Sequence, residues 1–352
     1  MRNQPGVIAV MTSAMLFGAS TPLARSLSGE IDPLWLAGLL YAGSGLGLSV
    51  LLLARHAGLA GADRRVVGIA RGDLPWLAFS VVAGGIVAPV LFTFGLRDTP
   101  GATASLLLNL ETVLTVVIAW FVFREHRNAR VVTGMALIVA SGVLLAGGGG
   151  EGPAVGRGAV LIALACLCWA LDNNSTRRVA GNDAMLVAAA KGLVGGSVNV
   201  GLAMLLAGPV PSSISALAAA GVGFFGYGVS LVLFVIALRE LGTARASAYY
   251  GVAPFVGVVV AFGLLGERPG GLFWAAAALM AAGVWLHLTE RHGHLHAHDA
   301  LAHTHAHRHD EHHRHEHAFE WDGHEPHAHP HDHDPLTHSH PHAPDLHHRH
   351  EH

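Results

Sequence analysis

Ten long apolar segments follow one another along the first 290 residues of the chain. A helix needs roughly 20 apolar residues to cross the hydrocarbon core of a bilayer, and most of these segments approach that length. The pattern predicts an all-α integral membrane protein with ten transmembrane helices. The predicted spans are residues 7–24, 34–53, 75–96, 102–123, 131–146, 158–177, 184–207, 214–238, 243–265 and 271–288.

The composition supports this prediction. Charged residues make up only 13% of the chain, whereas a soluble protein of this length carries roughly a quarter. The N-terminal apolar run lacks a small-x-small cleavage motif and is followed by many spans, so we predict a first span and not a signal peptide. Cys166 and Cys168 lie two residues apart and point about 200° apart on a helix, so we expect small core residues without a disulfide.

Small residues are abundant within the spans, and they allow helices to approach closely in lipid. We therefore predict a packing face, and not a binding site, from the glycines of the eighth span: Gly221, Gly223, Gly226 and Gly228.

The distribution of arginine predicts the orientation of the spans. With the N-terminus inside, the inner segments carry thirteen arginines and the outer segments carry four, namely Arg25, Arg97, Arg157 and Arg268. Basic residues concentrate on the cytoplasmic side of membrane proteins. We expect both termini in the cytoplasm, in a multi-pass protein of the inner (plasma) membrane.

The chain divides into two similar halves. The glycine-rich segment 147–157 separates five spans in residues 1–146 from five in residues 158–290, and a tail follows at residues 291–352. An offset of 142 residues aligns Arg97 with Arg239, Ala104 with Ala246, Ser105 with Ser247, Ala119 with Ala261 and Glu125 with Glu267. Because five is odd, the halves have opposite orientations, and inverted repeats are a transporter architecture with a site near the midplane.

Two aligned stretches resemble the fourth span of EamA-type members of the drug/metabolite transporter superfamily. They are Ala104-Ser-Leu-Leu-Leu-Asn to Glu125 and Ala246-Ser-Ala-Tyr-Tyr-Gly to Glu267. The family pattern has a proline midway and a glutamate at the end, which Pro254 and Glu267 match. In the first half, Thr112 stands where the proline is usual. Phe17 to Arg25 and Cys168-Trp-Ala170 resemble the openings of the two repeats.

The resemblance covers about residues 5–290. It implies a ten-helix carrier for a small solute, since such carriers handle amino acids, nucleotides, drugs and other small molecules.

Ionisable groups are costly in a span and usually have a partner or a task. Asp172 and Lys191, the only lysine of the chain, are equidistant from the turn at Gly181-Asn182. An antiparallel hairpin sets them at one depth, so we predict that they pair. The pair is either a buried structural ion pair or a clamp for a charged substrate.

Glu111 lies near the predicted midplane, where spacing assigns it no partner. A buried carboxylate can bind and release a proton or hold a cationic group, although a packing role is the alternative. Tyr249 and Tyr250 occupy the aligned region of the second half. We assign Asn109, Glu111, Tyr249 and Tyr250 to the transport cavity together with the charged pair, and ordinary helix packing is the alternative for the tyrosines.

The tail holds 24 of the 27 histidines and repeats the pattern His-x-His. Alternate residues of an extended chain share one side, and neutral imidazole suits zinc, nickel, copper and cobalt. We expect a disordered cytoplasmic tail that binds zinc or nickel. The predicted ligands are His292, His294, His296, His298, His303, His305, His307, His309, His327, His329, His331, His333, His338, His340 and His342.

These features favour a secondary carrier that exports a small metabolite or drug-like solute and has a regulatory metal-binding tail. One alternative is an exporter of divalent transition metal, although histidine is absent from the middle of the spans. A second alternative is a membrane-anchored metal buffer or sensor. No nucleophile–base set or phosphate-binding loop indicates an enzyme. The expected partners are the bilayer, a small solute and divalent metal ions, with no nucleic acid and no cofactor for transport.

Overall fold

The structure is a computed structural model. It describes residues 4–57, 71–123, 129–147, 156–176, 183–241, 246, 249–289, 293–298, 301–307, 327–333 and 336–341. The chain forms two compact units, Met1–Glu290 and Arg291–His352.

The first half of the membrane unit consists of helices that follow the five predicted spans. They are α1 (Gln4–Leu27), α2 (Pro33–His56), α3 (Leu74–Ser80), α4 (Ala88–Arg97), α5 (Gly101–Leu107), α6 (Asn109–Phe123) and α7 (Ala129–Gly147). A short 3₁₀ turn, Arg71–Asp73, precedes α3.

The second half repeats this order. Its helices are α8 (Arg157–Thr176), α9 (Ala184–Leu206), α10 (Ser213–Gly223), α11 (Ser230–Leu241), α12 (Ala253–Leu265) and α13 (Gly271–Leu288).

The helices are long enough to form the predicted membrane protein. Within the described residues, eight helical segments have the length and apolar character of a span, and two shorter apolar helices, Ala253–Leu265 and Gly271–Leu286, occupy the ninth and tenth places. The ninth helix is short because a turn at Gly251-Val252 precedes Ala253, while part of the predicted span 243–265 lies outside the described residues.

Polar residues fix the starts of several spans. Asp32 accepts a hydrogen bond from the amide of Leu34 at 2.9 Å, and Pro33 occupies the first position of α2. Asp183 accepts from the amide of Met185 at 2.9 Å at the start of α9. Each side chain satisfies an amide that the helix itself leaves without a partner.

The third and eighth spans each contain a π-helical segment at the same place in the repeat. Val81–Val87 joins α3 to α4, and Phe224–Val229 joins α10 to α11. The offset of 142 residues that aligns the two sequences maps the first segment onto the second within one residue. A π-helical turn changes the backbone hydrogen bonding, and such turns are frequent at functional sites.

The fourth and ninth spans are also interrupted at aligned positions. The first interruption is at Leu108, between α5 and α6, and the second is the turn at Gly251-Val252. Pro254 accounts for the second break because it has no amide hydrogen. Thr112 occupies the aligned position in the first half, so the break at Leu108 forms without a proline.

Close packing between the halves depends on glycine. The second and seventh spans, α2 and α9, cross with Gly45 against the backbone of Gly192 and Leu193. The predicted packing face of the eighth span is confirmed at three positions, since Gly223, Gly226 and Gly228 contact Leu40, Ser20 and Ser44. At the fourth, Gly221, no atom lies within 4 Å of the place where a Cβ atom would be.

The described part of the tail contains four short strands, although the composition predicts a disordered tail. β1 (Gly293–His298) pairs antiparallel with β4 (Leu336–Pro341), and β2 (Leu301–His307) pairs antiparallel with β3 (His327–His333). The His-x-His pattern has the two-residue period of a strand. Histidine stands opposite histidine at His294–His340, His296–His338, His303–His331, His305–His329 and His307–His327.

Gly195 allows α9 to approach the π-helical segment of the third span, since a Cβ atom there would overlap the carbonyl group of Gly85. We predict that Gly195→Ala lowers the thermal unfolding temperature of the purified protein in detergent, because such overpacking typically costs about 1–3 kcal/mol. Gly201 on the same helix has no atom within 4 Å of an added Cβ. The control Gly201→Ala should therefore leave the unfolding temperature unchanged or raise it slightly, since alanine favours a helix. Equal unfolding temperatures of the two variants would contradict the predicted role of Gly195.

Candidate functional site

The predicted ion pair between the sixth and seventh spans is present. Lys191 Nζ donates to Asp172 Oδ2, and the two side chains are 18% and 5% exposed. The prediction that Asp172 and Lys191 pair is therefore confirmed. Their joint burial matters because a charge in a dry site is tolerated only with a partner.

Two hydroxyl groups complete the environment of Asp172. Its Oδ1 accepts from Ser80 Oγ of the third span and from Thr176 Oγ1, one turn further along α8, at 2.9 Å. The carboxylate also lies against Gly84, where a Cβ atom would overlap it. Asp172 thus binds groups from the third, sixth and seventh spans, which belong to both halves.

Glu111 has a partner that its spacing in the sequence did not reveal. Its Oε1 accepts from Asn173 Nδ2 at 2.8 Å, which joins the fourth span to the sixth. Asn174 donates to the carbonyl oxygen of Thr115 at 3.1 Å and so forms a second link between these spans. Both asparagines lie within the regular helix α8. The acidic residue of one half is thus held by an amide of the other.

The break in the fourth span lies beside Glu111. Asn109 is buried, and its side-chain amide donates to the carbonyl oxygen of Leu106 at 3.2 Å. The thiol of Cys166 lies 3.7 Å from the carbonyl oxygen of Leu107. Asn109 and Cys166 therefore supply polar partners at the interruption. Cys166 and Cys168 are both free thiols, and Cys166 is buried as predicted.

Aromatic rings from both halves form a continuous series of contacts inside the bundle. Trp169 Nε1 donates to the hydroxyl of Tyr41 at 3.0 Å. The contacts between ring centroids are Phe92–Trp169 at 5.5 Å, Tyr41–Tyr227 at 6.0 Å, Phe17–Tyr227 at 6.2 Å and Phe17–Tyr250 at 5.6 Å. We call these six residues the aromatic series.

Glu111 is connected to the aromatic series through three of its members. Trp169 precedes Asn173 by four residues on α8, so the two side chains lie on one face of that helix. Tyr250, at one end of the series, is within electrostatic range of Glu111, and so is Tyr41 within the series. Tyr250 also contacts Phe234 at 4.6 Å, whereas Tyr249 is 41% exposed. Of the two predicted tyrosines, the structure places Tyr250 in the series.

The carbonyl groups of the first π-helical segment are bound by side chains that sequence reasoning did not select. Tyr41 and Trp169 donate to the Gly84 oxygen at 2.8 and 3.2 Å. The buried Asn199 donates to the oxygens of Gly85 and Ile86 at 3.3 Å each. An asparagine in the middle of a span was the available signal for Asn199, while the pattern of the chain gives no signal for Tyr41 or Ser80.

A second ion pair joins the halves at the predicted inner ends of the spans. Arg55, in the last turn of α2, donates to Asp183 at the start of α9. Burial raises the pKa of the Asp183 carboxyl, but the hydrogen bond and charge of Arg55 and the amides of Leu186 and Met185 outweigh it and hold the pKa below its ordinary value. The pair therefore persists at neutral pH.

The predicted metal ligands belong to the tail. Twelve of them are in the four strands, and His292, His309 and His342 lie outside the described residues. Within the described residues of the membrane unit, no three His, Cys, Asp or Glu side chains are placed to hold a metal ion.

Two repeats of five spans, with polar residues of each half meeting inside the bundle, define the protein as a membrane transporter. The sequence matches the EamA-like transporter family over residues 4–147 and again over residues 156–289. The chain therefore belongs to the EamA-like transporter family, and the resemblance inferred from the fourth spans is confirmed.

Individual relatives agree with this assignment. An uncharacterized transporter of Methanothermobacter thermautotrophicus is 27% identical over 298 residues, which cover 81% of this chain and 87% of the relative. A probable terminal-alkyne amino-acid exporter of Streptantibioticus cattleyicolor is 28% identical over 256 residues, which cover 70% of this chain and 84% of the relative.

A solved crystal structure has the same fold. It superposes with a TM-score of 0.58 at 21% sequence identity and covers 81% of this chain and 96% of its own.

Charge removal at either member of the Asp172–Lys191 pair should destabilise the protein. Asp172→Asn leaves Lys191 without its counter-charge and Lys191→Met leaves Asp172 without its own, and losing one partner of a buried pair costs about 3–5 kcal/mol. The measurements are the thermal unfolding temperature and the amount of folded protein in the membrane. The exchange of both residues, Asp172→Lys with Lys191→Asp, should recover part of the loss.

The control for these variants is Glu240→Gln, which neutralises an exposed carboxylate on α11. It should unfold at the wild-type temperature. Single variants of the pair that are as stable as this control would rule out an energetic role for the ion pair.

Proposed function

We propose that the protein is a secondary-active transporter of the plasma membrane that exports a small organic solute by alternating access. One observation carries this proposal: polar groups of the two halves meet inside the bundle. Asp172 binds Ser80 across the halves, and Asn173 binds Glu111. In transporters built from inverted repeats, the substrate site lies between the repeats, and their rocking exposes it to each side in turn.

Two further features support an organic solute and the outward direction. The name of the Streptantibioticus relative gives an amino acid as its cargo and export as its direction. The rings of the aromatic series provide apolar surface beside the polar residues. We further propose that both termini are cytoplasmic, as the arginine distribution indicates, so that the tail meets the metal pool of the cell.

The second candidate function is export of a divalent transition metal, such as zinc, nickel or cobalt. The histidines of the tail favour it, since five pairs stand opposite one another in the strands. The spans do not favour metal export, because the described residues of the membrane unit hold no cluster of three metal-ligating side chains. A membrane-anchored metal buffer is a weaker alternative, since two five-span repeats exceed what an anchor needs.

Measurement of the organic solutes and the metals that cells accumulate distinguishes these functions. We predict that cells lacking the protein accumulate an organic solute, that the wild-type gene reverses this, and that total zinc and nickel are unchanged. Glu111→Gln should insert normally but fail to reverse the accumulation, and in vesicles its remaining transport should lose the dependence on pH. The other titratable groups within electrostatic range of Glu111 are Asp172, Lys191, Tyr41, Tyr250 and Cys166.

The variant Glu240→Gln is again the matched control and should transport like the wild type. Accumulation of metal in place of an organic solute would replace the proposed function by metal export. Wild-type transport and pH dependence in Glu111→Gln would return Glu111 to a packing role.

We propose that the tail is a regulatory or buffering element that binds several zinc or nickel ions. A chain that ends at Arg291 should still insert and transport, but it should lose this metal binding, as measured by titration of both purified proteins. Metal bound by the full chain should be released below about pH 6, because protonated imidazole cannot coordinate. Loss of transport in a well-inserted truncated protein would favour the metal exporter, and equal metal binding by both chains would remove metal from the tail's role.

A further inference from the structure

The carboxylate of Glu111 has capacity for another partner. Asn173 occupies Oε1, and the described residues provide Oε2 with no hydrogen bond. Glu111 is partly accessible, and Asn173 beside it is exposed. A carboxylate at this depth is costly unless a cation, a proton or a donor compensates it.

Among the described residues, the positive charge that acts on Glu111 is already engaged in an ion pair. Lys191 lies within electrostatic range of Glu111, but its ammonium group is bound to Asp172. Asp172 in turn is fixed by Ser80 and Thr176. The charges of Asp172 and Lys191 cancel each other, so this pair supplies no counter-charge to Glu111.

Aromatic rings lie near this carboxylate: Tyr41 and Tyr250 are within electrostatic range of Glu111, and Trp169 lies one helical turn before its partner Asn173. Phe17, Tyr41, Trp169, Tyr227 and Tyr250 are each partly accessible, in contrast to the fully packed rings of a core. The negative face of an aromatic ring attracts an ammonium group, most strongly where water is excluded, and also accommodates an apolar chain. A carboxylate together with such rings matches a ligand that carries both a positive charge and an apolar group.

We propose that the solute carries a primary or secondary ammonium group and an apolar moiety, and that Glu111 binds the ammonium group while the aromatic series holds the apolar moiety. This inference rests on the proposed transport function and names the substrate class of the same site. Among the described residues that act on Glu111, the available counter-charge for a solute whose only charge is a carboxylate is Lys191, which would first have to leave Asp172. Selectivity for cations over anions therefore follows from the pairing of Lys191.

Three compounds of one shape test the proposal. Phenylethylammonium, 2-phenylethanol and 3-phenylpropionate share a ring on a short chain and differ in charge. Binding to the purified full-length protein is measured by titration calorimetry. We expect the ammonium compound to bind and the alcohol and carboxylate to bind at least roughly tenfold more weakly, as the loss of a charge-assisted hydrogen bond implies.

Two variants locate the binding site. Glu111→Gln keeps the size of the side chain. It should weaken the binding of the ammonium compound roughly tenfold or more and leave the binding of the alcohol unchanged. Tyr250→Leu should weaken the binding of the ammonium compound roughly threefold, because one π face is lost. Glu240→Gln, with its exposed carboxylate, should bind all three compounds as the wild type does. The unfolding temperature of each variant establishes that it is folded, and Tyr250→Leu keeps the test informative if Glu111→Gln is unstable.

The outcomes separate this inference from the proposed function. Absence of binding of the ammonium compound, equal binding of the three compounds, or unchanged binding in both Glu111→Gln and Tyr250→Leu would overturn the inference. Export of an organic solute in the cell experiment would still support the transporter. Conversely, selective binding of the ammonium compound without accumulation in cells that lack the protein would support the site and contradict the export function.

Discussion

Every backbone polar group released from a helix inside a bilayer needs a partner within the protein, because the hydrocarbon offers none. This requirement governs the present structure, since four spans deviate from a regular α-helix within the residues that the structure describes. The carbonyl groups of Gly84, Gly85 and Ile86 receive hydrogen bonds from Tyr41, Trp169 and Asn199. Tyr41 and Trp169 of the aromatic series, together with Asn199, therefore also satisfy the interrupted backbone.

The two halves meet this requirement differently. At the second π-helical segment, Ser230 donates to the carbonyl oxygen of Gly226, and Ser13 donates to that of Ser230 at 2.6 Å. Serine hydroxyls thus bind the carbonyl groups at the second π-helical segment, whereas a tyrosine, a tryptophan and an asparagine bind those at the first. In the proposed transport cycle, an exchange of conformations between the repeats would therefore join two states whose backbone hydrogen-bond partners are not equivalent.

The sequence was sufficient to predict the features that depend on period, charge and symmetry. The number of spans, the pairing of Asp172 with Lys191 and the family follow from apolar length, distance from a turn and the aligned fourth spans. Contacts between spans that are distant in the sequence could not be predicted in this way. The bond from Asn173 to Glu111 depends on how the fourth and sixth spans pack, and no local pattern contains that information. Similarly, the break at Leu108 has no proline as its signal, whereas the aligned break beside Pro254 does.

Glu267 illustrates a consequence for motion. Its carboxylate, beyond the end of the ninth span, accepts hydrogen bonds from the amides of Gly101 at 2.6 Å and Ala102 at 2.9 Å, at the start of α5. It therefore caps a helix of the other half, in place of a residue next to that helix in sequence. Separation of the fourth span from the loop after the ninth would strand two amides, at a cost of about 1–3 kcal/mol for each one that stays dry. At this end of the bundle, these hydrogen bonds link the fourth and ninth spans, which should therefore move together in a conformational change.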